Sequence, residues 1–250
     1  MSDKTGFSIR ESYKTARTNI MFSLSSVVGC KRIIITSAVP GEGKTTTTMN
    51  LANVFAEMGA RVMIIDGDLR RPRVHVFLEL ENDKGLSSIL GGFCKIDEVI
   101  KHTQYGYDCI TSGPIPPNPA ELLSSSNMSE LLNEKLADYD YIFIDTPPVT
   151  VVTDCTAISN LANGVIVVAR QAYSTHDMIE RSLDTINFTG TKVLGFVLND
   201  SMSKGAKYNS YKKKNSYGYG YGYGYGYGYG KENEEDSNES KVESPVKQNL

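Results

Sequence analysis

Residues 38–45 read Ala-Val-Pro-Gly-Glu-Gly-Lys-Thr, between a β-branched run at 33–36 and a stretch with helical apolar spacing at 44–58. A strand that ends in a glycine-bearing turn, with a helix starting inside that turn, aims backbone N–H groups and the positive end of the helix at one spot. The octet matches G-x-x-x-x-G-K-[ST], with Ala38 in the first place. In such a turn Gly41, Glu42 and Gly43 present N–H groups to phosphates, and Lys44 reaches the outer ones. Thr45 offers a hydroxyl to Mg²⁺, and Thr46 continues the helix start. The pattern predicts ATP and Mg²⁺ as cofactors. A glycine turn capping an ordinary helix would explain the octet, but not the motifs that follow it.

Further runs at 62–66, 107–111, 141–145, 165–169 and 193–198 are continuously apolar rather than alternating. They predict strands buried on both faces. Between them, 128–136, 155–161 and 177–188 have helix-like spacing. Strands alternating with helices predict an α/β fold, a P-loop NTPase with a mostly parallel sheet flanked by helices on both faces.

Two of these strands end in acids. Asp66 and Asp68 leave the carboxyl end of the 62–66 run within Asp-Gly-Asp-Leu-Arg-Arg-Pro, and Asp145 ends Tyr-Ile-Phe-Ile-Asp-Thr-Pro-Pro in the manner of a Walker B acid. Ligands of α/β sheets collect at strand carboxyl ends. Carboxylates beside a triphosphate suit Mg²⁺, which takes few protein ligands and keeps several waters. Beside the Thr45 hydroxyl, the carboxylates of Asp66, Asp68 and Asp145 are the candidates for it, with one of the three left free to act as a base. Arg70 and Arg71 read either as a phosphate clamp or as solvated charges. Asn199, at the end of the last run, reads either as an adenine contact or as a strand-end turn.

A formal charge of −3 gives no reason to expect a nucleic-acid partner. Cys30, Cys94, Cys109 and Cys155 form no C-x-x-C pair, and His75, His102 and His176 are scattered, so reduced thiols without a zinc site are expected. The sequence offers no signal-peptide core and no apolar span of ~18 residues. The expected location is cytoplasmic, with any membrane association made through a partner and none by direct insertion.

Three segments follow: a helical stretch at 1–30, an ATP-binding domain at 31–203 and a tail at 204–250. Lys204, Lys207, Lys212, Lys213 and Lys214 form a collar around Tyr208 and Tyr211. A strict Tyr-Gly alternation then sets Tyr217, Tyr219, Tyr221, Tyr223, Tyr225, Tyr227 and Tyr229 apart by glycines. Residues 231–250 carry six acidic side chains against three lysines. Such composition buries too little apolar surface to offset ordering entropy, so the tail is expected to be disordered.

Taken together, these motifs make the chain resemble the cytosolic, Gram-positive type of the bacterial tyrosine kinases that act in capsule and exopolysaccharide synthesis. The resemblance rests on Glu11-x-x-Lys14-x-x-Arg17-Thr-Asn19, the phosphate loop and the Asp66–Asp68 motif with its Leu-Arg-Arg-Pro. It rests also on Gly113-x-x-Pro116-Pro-Asn-Pro-Ala-Glu-Leu-Leu123, Phe-Ile-Asp-Thr-Pro-Pro-Val and the tyrosine cluster. It implies that Lys44, Thr45, Asp68 and Asp145 handle ATP and Mg²⁺, and that Asp66 is the base. The residues themselves leave Asp66 and Asp68 open for that role. The implied substrate is the tyrosine cluster of a neighbouring copy in a ring. Glu11, Lys14 and Arg17 would lie at the subunit contact, although Lys14 stands where the family pattern generally has Arg. A membrane-bound activator, the chain-length-determinant protein, is implied as a second partner. The rivals are a partitioning or cell-division ATPase, which usually has a second lysine where Val39 stands, and a nucleotide-dependent scaffold without kinase activity.

Overall fold

Six of the seven strands in the described residues lie where continuous apolar runs predicted them, and the sheet assembles from their pairing. The computed structural model describes residues 3–201, with side chains from residue 8 onward. The tail and its tyrosines lie outside the described residues. The strands are β1 (Lys31–Ser37), β2 (Val62–Asp66), β3 (Ile100–His102), β4 (Asp108–Ile110), β5 (Tyr141–Asp145), β6 (Gly164–Arg170) and β7 (Val193–Asn199). Their order is β3-β4-β2-β5-β1-β6-β7. All neighbours run parallel except β3 and β4.

Because side chains alternate across a strand, the central runs feed two cores. Ile33, Ile35, Ile64 and Phe143 pack on one face. They meet Leu51 and Phe55 of α2 (Lys44–Ala56), and Ile20 and Leu24 at the end of α1 (Asp3–Ser23). The Phe55 ring lies 4.3 Å from Tyr141 and 5.3 Å from Phe143. On the other face Ile34, Ile65, Ile142 and Ile144 pack against Leu131, Leu132 and Ile186. Each fully buried large side chain is worth about 1.5–3 kcal/mol over leaving it in water.

Between β2 and β5 run the short helices α3 (Val74–Leu78), α4 (Leu86–Leu90), α5 (Pro119–Leu123) and α6 (Ser126–Glu130). Then come α7 (Asp154–Ala157) before β6 and α8 (His176–Phe188) before β7. Three expectations need correction. The helix expected at 128–136 is α6 running into a wider π turn at Leu131–Lys135. The one at 155–161 is α7 followed by a separate tight turn at Ser159–Leu161. The run at 193–198 is not buried on both faces. β7 is an edge strand, and Phe196 and Leu198 are 49% and 57% exposed. Within the described residues no helix is long and apolar enough to cross a membrane.

Candidate nucleotide and phosphoryl-transfer site

Parallel register brings the acids together. Asp66, the last residue of β2, pairs with Asp145, the last residue of β5, and Asp145 also pairs with Ile35 of β1. The phosphate loop leaves β1 directly after Ser37. Three parallel strands therefore deliver the loop and two carboxylates to one edge of the sheet.

The loop needs glycine at two points. Gly41 and Gly43 have φ of +84° and +94°, in the left-handed region where a Cβ is penalised. The rest of its shape comes from side chains far away in sequence. Asn199 donates its amide to the Glu42 carbonyl at 3.0 Å, and its own oxygen accepts from the Asp200 N–H at 2.9 Å. The Glu42 carboxylate is fully buried and accepts from the Val39 N–H at 2.8 Å and from the Ser174 hydroxyl. Tyr173 donates its hydroxyl to the Pro40 carbonyl at 3.1 Å. The end of β7 and the turn after β6 thus hold the loop in a preset shape, which lowers the ordering cost of binding. Sequence reasoning missed Tyr173, Ser174 and the inward role of Glu42, because none of them belongs to a local pattern.

α2 starts inside the loop with Lys44, so its positive end faces the same spot. Thr45 Oγ1 donates to Asp145 Oδ2 at 2.6 Å. Thr46 follows on the first turn, its carbonyl accepting from Asn50 Nδ2 at 2.8 Å. Burial pushes the Asp145 carboxyl up to about 6, against the opposing pull of Lys44 and of the Thr45 bond. Asp66 is fully buried. Its two oxygens accept from the Asp68 N–H at 3.3 Å and the Val74 N–H at 3.1 Å. Burial first, then the charges of Asp145 and Asp68, raise its proton affinity well above the usual carboxylate range. Asp68 is half-buried, and its Oδ1 accepts from the N–H groups of Arg70 and Arg71 at 3.3 and 2.9 Å.

Among the described residues no three His, Cys, Asp or Glu side chains form a metal cage by themselves. Mg²⁺ does not require one. It binds through one or two carboxylates together with substrate phosphates and water. The oxygen-only set of Thr45, Asp145 and Asp68 fits that chemistry. The hydroxyl hydrogen of Thr45 already goes to Asp145, so its lone pairs are left for a cation.

The N-terminal trio divides. Lys14 pairs with Glu11 at 2.7 Å on the exposed side of α1, whereas Arg17 Nη1 turns inward to the Val54 carbonyl of α2 at 2.6 Å. Arg70, read from sequence as either a clamp or a solvated charge, instead holds Asp154 through two bonds.

Residues 30–195 match the model of the AAA domain family. Tyrosine-protein kinase YwqD of Bacillus subtilis is 41% identical over 83% of this chain and 88% of its own. Many solved structures are similar, among them the two that follow. The chimerical protein CapA2B2 has 40% identity, a TM-score of 0.72 and coverage of 75% of this chain and 83% of that one. The kinase domain of Escherichia coli tyrosine kinase ETK has 32% identity, a TM-score of 0.75 and coverage of 84% and 80%.

Proposed function

Because the chain belongs to the bacterial tyrosine-protein kinases, we propose that it transfers the γ-phosphoryl group of ATP to Tyr217, Tyr219, Tyr221, Tyr223, Tyr225, Tyr227 and Tyr229 of a neighbouring copy. The observation that carries this reading is the convergence of Lys44, Thr45, Asp66, Asp68 and Asp145 at one sheet edge, above a loop shaped for phosphate.

The residues divide the work as follows. The N–H groups of Gly41, Glu42, Gly43, Lys44, Thr45 and Thr46 receive the phosphates, and the Lys44 ammonium neutralises the outer ones. Thr45, Asp68 and Asp145 hold Mg²⁺, which when bound offsets the charge that builds on the transferring group. A tyrosine hydroxyl has a pKa of about 10, so attack is aided by a nearby proton acceptor. The raised proton affinity of Asp66 supports it as that acceptor, and the partial exposure of Asp68 supports it on the metal side. Asn199 acts on the nucleotide through the Glu42 carbonyl it holds.

Further parts of the reading rest on the family resemblance alone. They are a ring of copies with Glu11, Lys14 and Arg17 at its contacts, recruitment of a cytoplasmic chain to the inner membrane face by a membrane-bound activator, and control of capsular or exopolysaccharide polymerisation and export. The deciding experiment is autophosphorylation with Mg²⁺-ATP, read by mass spectrometry, with and without a fused activator segment. Phosphate on Tyr217 to Tyr229 that disappears in Lys44→Met is the expected result. ATP binding and hydrolysis without phosphotyrosine would instead identify an ATPase switch or scaffold.

A further inference from the structure

A guanidinium–carboxylate pair joins the turn after β2 to the helix after β5. Arg70 Nε and Nη2 donate to Asp154 Oδ2 and Oδ1 at 2.8 and 3.0 Å. Asp154 is fully buried. A buried carboxylate is tolerated where charge-assisted hydrogen bonds replace its water, and a bidentate Arg fork supplies two. That commitment leaves the Arg70 guanidinium facing Asp154, not a phosphate.

The chain that leads toward Asp154 is anchored at residues 146–150. The Thr146 N–H bonds to the Ile35 carbonyl at 3.1 Å and the Val149 N–H to the Ser37 carbonyl at 3.0 Å. The Thr36 hydroxyl donates to the Pro147 carbonyl at 2.9 Å, and Thr150 donates to the Ala38 carbonyl. The segment that leads into α7 and Asp154 is thereby tied, at residues 146–150, to β1 and to the first residue of the phosphate loop. At the other end the turn is organised by its own acids, and Asp68 Oδ1 accepts the N–H groups of Arg70 and Arg71. The same residue therefore bonds to Asp68 with its backbone and to Asp154 with its side chain.

We infer that Arg70 is a positioning residue. Through Asp154 it holds the Asp68 carboxylate in fixed relation to Asp145 and Thr45, and so sets how readily the site takes Mg²⁺. This rests on the proposed reading of Asp68 as a metal ligand.

The test uses the full chain with Arg70→Lys, which keeps the charge and loses the fork, and Asp154→Asn, which keeps the shape and loses the charge. Binding of a fluorescent ATP analogue is measured in EDTA and across a Mg²⁺ titration. Transfer to a synthetic Glu-Tyr copolymer and the thermal midpoint are measured alongside. In both variants nucleotide affinity in EDTA should stay within about twofold of the unaltered chain, while the Mg²⁺ needed for half-maximal tightening rises about fivefold or more and kcat falls about tenfold. Equal loss of affinity with and without Mg²⁺ would overturn the inference in favour of a direct phosphate contact. An unchanged Mg²⁺ requirement, or failure of both variants to fold, would overturn it in favour of a purely structural pair. The broader reading fails separately, if the unaltered chain shows no Mg²⁺-dependent binding or no phosphotyrosine.

Discussion

Thr45 gives its hydroxyl hydrogen to Asp145 across 2.6 Å, so one bond ties the start of α2 to the end of β5. A hydroxyl has one hydrogen and two lone pairs, so this bond settles which part of Thr45 is left for a cation. Thr45→Ser should preserve Mg²⁺-dependent binding of a fluorescent ATP analogue. Thr45→Val should weaken it by about 10–100-fold, while binding in EDTA changes little. Equal loss in both conditions would mean that Thr45 acts on the phosphates directly.

Gly43 makes a second prediction. A Cβ there would lie 2.1 Å from Asn199 Nδ2, on a residue with φ of +94°. Gly43→Ala should abolish detectable ATP binding in equilibrium dialysis while the chain stays folded. Adding Asn199→Ala removes the clash but not the backbone strain, which is worth about 1–3 kcal/mol. The double variant should therefore recover only part of the affinity. Full recovery would show that the clash alone was at fault.

The fold was legible wherever a run was long and uninterrupted. Residues 62–66 and 141–145 coincide with β2 and β5, because strands covered on both faces leave an unbroken apolar signature. β3 and the short helices α3, α4 and α5 span three to five residues each, too few for any period to register. The apolar character of 193–198 suggested burial, yet burial depends on neighbours, and β7 has a strand on one side only among the described residues. In the site, Lys44, Thr45, Asp66, Asp68 and Asp145 were visible because each occupies a fixed offset from a strand end. Ser174, Tyr173 and Asp154 were not. Their partners Glu42, Pro40 and Arg70 are distant in sequence, and only folding brings them together.

The inward turn of Arg17 separates two roles on α1. Its Nη1 bonds to the Val54 carbonyl, and its Nε is buried without a partner among the described residues. Arg17→Ala should lower stability by about 1.5–3 kcal/mol, the usual worth of a hydrogen bond to a charged group, seen as a lower urea midpoint. Glu11→Ala breaks only an exposed i, i+3 pair and should cost about 0.5 kcal/mol or less. The proposed ring requires that Glu11→Ala still reduce oligomer mass in light scattering. A mass loss confined to Arg17→Ala would trace assembly to α1 docking rather than to a subunit contact.

Thiol chemistry offers an independent check on the packing. Cys109 and Cys155 are buried, and burial raises both thiols, Cys155 to about 11. Cys30 and Cys94 are half-buried. Since the thiolate is the reactive form, iodoacetamide at neutral pH should label Cys30 and Cys94 first and reach the other two only on unfolding. Labelling of Cys155 in the native chain, read by peptide mass spectrometry, would contradict the packing of α7 against the sheet.

The two acids after β2 should fail in different ways when neutralised. Asp66 combines full burial with a raised proton affinity, whereas Asp68 is half-exposed beside the phosphate-loop threonine's partner strand. A proton acceptor contributes about 10²–10⁴ in rate and little to nucleotide affinity. Asp66→Asn should therefore lose tyrosine phosphorylation by that order while binding Mg²⁺-ATP normally. Asp68→Asn should instead raise the Mg²⁺ needed for binding, and excess Mg²⁺ should restore part of its transfer rate. Single-turnover transfer measured across a Mg²⁺ series in both variants decides the matter. The assignments exchange if Asp66→Asn is the variant that excess Mg²⁺ repairs.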